Sequence, residues 1–154
     1  MSTGKIIYAP TTAMSITINS LQSLNARTSA SVPGSSYVDV HVQVNIATSG
    51  NATVDKAIYV YAYGTEDGTN YQYNATGNDA AITVDSTSPF RAIGVISHGN
   101  SGSQIYRSRP MAVSPAFGGY LPRNWGILLD NRTGLTLMPT SHYVSYTGYY
   151  VDVT

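Results

Sequence analysis

Between Tyr37 and Ala47 the chain alternates with a period of two: Val38, Val40, Val42, Val44 and Ile46 are separated by Asp39, His41, Gln43 and Asn45. Successive side chains point to opposite faces of a strand, so this segment has one dry face and one polar face. Such a strand belongs to an antiparallel sheet packed on a core from one side. No stretch repeats apolar residues with the 3.6 period of a helix. Helix-favouring charged residues are scarce as well: Glu66 is the only glutamate, and lysine occurs twice.

A second strand is expected from Ala57 to Tyr63, where Ile58, Val60 and Ala62 alternate with Tyr59, Tyr61 and Tyr63. The run Gly64-Thr65-Glu66-Asp67-Gly68-Thr69 follows, and its Asp-Gly pair is a turn signal. Tyr71 and Tyr73 resume the alternation, which predicts a hairpin. Shorter strands are expected at Ser15–Ser20, Ala81–Val84, Ala92–Ser97, Met111–Ala116, Trp125–Asp130 and Tyr143–Val153. Turn clusters separate most of them, such as Pro33-Gly34-Ser35-Ser36 and His98-Gly99-Asn100-Ser101-Gly102. About eight strands with regular punctuation predict an all-β fold, an antiparallel β-sandwich. An eight-stranded jelly roll is the first choice of topology and an immunoglobulin-like sandwich the second. Residues 1–13 read as an extended N-terminal arm and 14–154 as a single β-sandwich domain. In the arm Lys5 is the only charge beside Ile6, Ile7 and Tyr8. It is either a frayed or edge strand, or an arm that gains order on a neighbouring subunit.

The surface such a fold presents is set by an unusual charge content. Charged residues are 10% of the 154 and net charge is zero, against about 25% charged in an average soluble protein. Ser, Thr, Asn, Gly and 13 Tyr take their place. Close protein–protein packing on such a surface desolvates little charge. Nucleic acid is not an expected ligand, because Arg107 and Arg109 are the nearest thing to a basic cluster. The chain has no cysteine, which removes disulfides and thiolate metal sites. No apolar run approaches the roughly 20 residues of a membrane span. MSTGKIIYAPTTA lacks the pattern of a secretory signal, so synthesis in a cytoplasm is the default expectation.

Candidate chemistry is thin. His41, His98 and His142 have no metal-ligand spacing among them, and GxSxG is absent. His41 is expected to be solvated or hydrogen-bonded on its strand, and His98 sits in a Gly/Ser/Asn loop. Asp67, Asp79 and Asp85 are the only carboxylates worth considering for calcium, but turn chemistry explains each. Gly118-Gly119 lacks the strand–loop–helix setting of a phosphate cradle. Asn51, Asn74 and Asn131 each begin an Asn-x-Thr triplet, which an Asn- and Thr-rich chain produces without glycosylation. The expectation is no enzyme, no cofactor and no metal.

The tyrosines are the best binding candidates. Tyr59, Tyr61 and Tyr63 project to the face opposite Ile58, Val60 and Ala62. They either pack across strands, or form a protein interface, or offer a stacking platform for sugars. Trp125 reads as core, since Ile127 and Leu129 share its side of the strand.

The C-terminal third, GGYLPRNWGILLDNRTGLTLMPTSHYVSYTGYYV, has a Leu-Pro-x-x-Trp approach (Leu121, Pro122, Trp125) to a short apolar strand. An Asn-x-Thr-Gly turn (Asn131, Thr133, Gly134) follows, then a closing Val-x-Tyr-x-Gly strand (Val144, Tyr146, Gly148). This pattern resembles small structural proteins of tailed-bacteriophage particles. The middle segment AIYVYAYGTEDGTNY resembles the strand and hairpin of the same group, and the two regions span somewhat under half the chain. The resemblance implies a capsid cement or decoration protein outside the shell, bridging neighbouring copies of the major capsid protein as a dimer or trimer. It names no binding residues. The alternative is a carbohydrate- or receptor-binding module, such as a tail-fibre domain, that uses Tyr59, Tyr61 and Tyr63. Neither reading involves nucleic acid or a membrane.

Overall fold

Four of the five apolar residues in the alternating segment do what their spacing demands; Val38, 52% exposed, precedes the strand, which begins at Asp39. Val40, Val42, Val44 and Ile46 are fully buried, and they pack with Ile58, Val60, Trp125, Ile127, Leu129 and Val144. The computed structural model describes residues 4–53, 56–99 and 102–153. Residues 1–3 of the expected arm, Thr154, and Asn100 and Ser101 of the predicted turn lie outside the described residues. Within them the chain forms twelve strands and one 3₁₀ turn, all in two antiparallel sheets facing each other across that core. Burying each aliphatic side chain there contributes about 1.5–3 kcal/mol. Among the described residues no helix is long and apolar enough to cross a membrane.

The first sheet runs β1 (Gly4–Tyr8), β12 (Tyr143–Val153), β5 (Asp39–Thr48), β10 (Met111–Ala112). Two short strands extend its flanks: β2 (Thr12–Ala13) continues β1 along β12, and β9 (Gln104–Arg107) continues β10 along β5. The second sheet runs β7 (Ala80–Ile82), β3 (Ala26–Thr28), β11 (Asn124–Asn131), β6 (Ala57–Thr65), β8 (Arg91–Ser97), with β4 (Val32–Pro33) also on β11. The links β2–β3, β4–β5, β5–β6, β8–β9, β10–β11 and β11–β12 each cross between sheets, while β6 and β8 are neighbours within one.

Several sequence expectations are corrected. Ser15–Ser20 is irregular rather than a strand. Met14 and Ile18 dip into the core as the chain crosses between sheets, and their spacing mimics strand alternation. The segment's backbone bonds are divided among Val144, Ala30 and Met138, so no single ladder forms. Met111–Ala116 keeps two strand residues before Pro115 starts the 3₁₀ turn Ser114–Phe117. The predicted hairpin after Tyr63 does not form: residues 66–79 carry no strand, and Tyr73 has φ +54°, which a strand cannot accommodate.

Residues 66–90 instead return to the second sheet, adding β7 at its edge and laying the flanking loops over its outer face. They cover Tyr63 and Leu128 with Tyr71, Ala75, Ile82, Val84 and Phe90, a second small apolar cluster outside the main core. Asp67 closes the reversal by accepting hydrogen bonds from the Thr69 and Asn70 N–H groups and the Thr65 hydroxyl.

Candidate functional site

Two surfaces stand out once the sheets are assembled. The first is an overhang. On β12 the residues Val144, Tyr146 and Gly148 sit opposite the inward-facing Val44, Val42 and Val40, so Tyr149, Val151 and Val153 lie on the outer face. The strand β5 begins at Asp39, opposite Tyr149. Beyond that point, among the described residues, β12 pairs only with β1, with Ile6 opposite Val151 and Tyr8 opposite Tyr149. The result is a two-stranded ribbon whose outer face carries Ile6, Tyr8, Val151 and Val153, which are 56, 63, 48 and 70% exposed. Tyr8 packs on Tyr149 with ring centroids 6.0 Å apart, and His41 lies 5.4 Å from Tyr149. The other face places Lys5 opposite Asp152, so the ribbon carries no excess charge.

The second surface is the tyrosine face of β6, and here the expected trio divides. Tyr63 is 0% exposed, which removes it from any surface platform. Its hydroxyl donates to the Ser29 carbonyl, its ring lies against Tyr71, and burial pushes its pKa up. The fold-back of residues 66–90 is the cause. Tyr59 and Tyr61 remain half-buried, with ring centroids 6.4 Å apart and planes 30° from parallel. They floor a cleft of about 330 Å³ walled by Val84, Asp85 and Ser86 of the fold-back and by Asp130 and Arg132 of β11 and its exit. Asp130 lies directly across from Tyr59 in the β6–β11 register and is 2% exposed. The Arg132 Nε donates to both carboxylate oxygens at 2.9 Å, and its Nη2 donates to the Val84 carbonyl at 3.3 Å. Burial, followed by the Asp130 carboxylate, pushes the Tyr61 phenol upward, so it remains a neutral hydroxyl.

Asp130 and Arg132 were not visible as site residues in the sequence. Asp130 follows Leu129 on an apolar strand and so projects to the outer face. Only the β6–β11 register, which spacing does not give, puts it beside Tyr59.

The remaining candidates serve the scaffold. His98 is buried: its Nδ1 donates to the Gly99 carbonyl and its Nε2 accepts from the Thr48 hydroxyl, while its ring lies 4.5 Å from Tyr106. His142 ties the loop before β12 to the end of β5, accepting from the Ala47 N–H and donating to the Met138 carbonyl. Asp67, Asp79 and Asp85 are engaged separately, and among the described residues no three His, Asp or Glu side chains converge. Hydrogen bonds from Asn70, Thr69 and Thr65 hold the Asp67 carboxyl well below the usual range. Burial pushes Asp79 up, but bonds from Thr17 and Arg27 outweigh it and leave the group lowered. Asp85 is lowered chiefly by Thr87. Asn131 is fully buried and donates to the Leu21 and Leu135 carbonyls, so its amide is not presented to a modifying enzyme.

Compared with known proteins, the chain matches no family model and no curated sequence.

Proposed function

We propose that the chain is a structural protein of a tailed-bacteriophage particle, a cement or decoration protein that docks on the outside of the capsid across neighbouring subunits. The observation that carries this reading is the apolar overhang of β1 and β12. Four exposed apolar side chains on one face of a ribbon with balanced charge form a surface suited to a protein partner. The surrounding surface is poor in charge, so contact there requires little desolvation of ions.

The residues that carry the phage-protein resemblance support a scaffold role. Trp125 is fully buried, with Tyr146 edge-on to it at 5.5 Å. A Cβ at Gly64 would lie 2.5 Å from the Pro122 Cγ, and Asn131 accepts from the Thr133 N–H to close its turn. These residues build the fold and leave its surface free to vary. The strand order supports the jelly-roll reading: merging β1 with β2, β3 with β4, and β9 with β10 gives eight strands, with β7 as an addition to the second sheet. The chain then crosses between sheets at every step except β6 to β8, as two Greek keys require. A dimer or trimer belongs to the proposal, because a subunit touching several capsomers gains effective concentration from weak individual contacts.

The test is add-back of the purified chain to shells lacking it, read by co-sedimentation. Saturable binding is expected, with Val151→Lys and Ile6→Asp each weakening it at least about tenfold, a loss of about 1.4 kcal/mol. Absence of binding to every shell of the producing host contradicts the reading.

A further inference from the structure

We infer that the cleft floored by Tyr59 and Tyr61 is a saccharide-binding site that takes a neutral hexopyranose unit of a glycan. This inference goes beyond shell docking and does not rest on it, since the cleft and the ribbon lie on opposite outer faces of the sandwich.

The fold-back of residues 66–90 buries Tyr63 and Leu128, and its Val84–Ser86 segment stands beside Tyr59 and Tyr61 as a wall rather than a roof. Two adjacent rings tilted by only 30° make a nearly continuous apolar strip. A pyranose ring has an apolar face of axial C–H groups that packs on such a strip, while its hydroxyls project outward at the ring edge. Those hydroxyls lose water on binding and need replacement partners. The cleft supplies them at its rim: the Arg132 guanidinium, held from beneath by the buried Asp130 carboxylate, and the Ser86 and Asp85 side chains.

Preorganisation is the second support. A carboxylate that is 2% exposed costs several kcal/mol of hydration, and its ion pair repays this incompletely. Such a pair is weak evidence of stabilisation but a good way to hold polar groups in fixed positions. Arg132 is fixed at three points, two on Asp130 and one on the Val84 carbonyl. Little side-chain freedom is then lost when a ligand arrives. Charge selects the ligand class: two carboxylates and one guanidinium leave the cleft slightly negative, which disfavours sialic acids and sulfated sugars. The cleft volume of about 330 Å³ lies at the small end of the range of about 300–1,000 Å³ for ligand sites, which fits a single sugar unit. The larger groove of about 770 Å³ beside β7 has no aromatic side chain in its lining.

The experiment titrates the full chain with the methyl glycosides of glucose, galactose, mannose and N-acetylglucosamine. Tyrosine ring signals and the Arg132 Nε–H are followed by NMR. At least one glycoside is expected to shift Tyr59, Tyr61 and Arg132 together and saturably, with a millimolar Kd. Tyr59→Ala is expected to weaken it at least about tenfold. Tyr61→Phe keeps the ring and tests the hydroxyl alone, and Tyr143→Ala, on the other sheet, should leave affinity unchanged. The inference is overturned if none of the four moves these signals at about 100 mM. It is equally overturned if Tyr59→Ala binds as well as the parent. Neither result bears on shell binding, which is read by sedimentation.

Discussion

Tyr63 of β6 and Gly126 of β11 form a lock whose two halves, far apart in sequence, are brought together by the strand register. Gly126 is opposite Tyr63 in the β6–β11 pairing, and a Cβ there would lie 2.6 Å from the Tyr63 ring. Gly126→Ala is therefore expected to destabilise by about 1–3 kcal/mol through overpacking. Tyr63→Phe removes the buried bond to Ser29 and is expected to cost about 1–2 kcal/mol. Urea unfolding measures both. The same residue sets an alkaline limit. Burial raises the pKa of Tyr63 above its ordinary value of 10.0, and Tyr61 and Tyr149 are raised as well. A phenol whose pKa is raised by folding contributes its stability in full below the unfolded pKa, and that contribution is lost as pH rises through the folded value. Stability is thus expected to fall above about pH 10, and Tyr63→Phe should reduce the slope by about one proton. The tyrosine alternation was legible in the sequence; the burial of its third member was not. Tyr63 is covered by a segment whose Asp-Gly turn signal reads equally well as a hairpin and as a fold-back.

At the scale of elements, long strands with a clear period were readable and short ones were not. Tyr143–Val153 was expected within the bounds it occupies, and β5, β6, β8 and β11 were expected within two residues at either end. Ala26–Thr28 and Gln104–Arg107 were missed because three or four residues cannot display a period against their surroundings. The N-terminal arm is an ordered edge strand over Gly4–Tyr8, held by β12 of the same chain. None of its five residues is fully buried, so it adds little to stability. Deleting residues 1–9 is expected to cost less than about 2 kcal/mol in urea unfolding, because little apolar area is exposed by it. The same deletion should abolish shell binding, which separates an adhesive role from a structural one. A loss of cooperative folding on deletion would show instead that the ribbon holds the sandwich together.

For the whole molecule, the two-layer architecture was legible because the apolar period of β5, β6 and β11 demands it. The docking surface was not, since it arises from β12 outrunning β5 by four residues, from Tyr150 to Val153. The zero net charge and 10% charged content lead to a further expectation. Exposed charges are screened beyond about 10 Å at 0.1 M salt, and an apolar contact has little such attraction to lose. Shell binding should therefore change less than about threefold between about 0.05 and 0.5 M salt. A steep salt dependence would point to an ionic contact elsewhere on the surface. The most direct measurement is a reconstruction at side-chain resolution of particles purified from the producing host. This sandwich is expected on the outside of the shell, with Ile6, Tyr8, Val151 and Val153 covered by a capsid subunit. Particles that lack the chain, or that carry it with the ribbon facing solvent, would contradict this expectation.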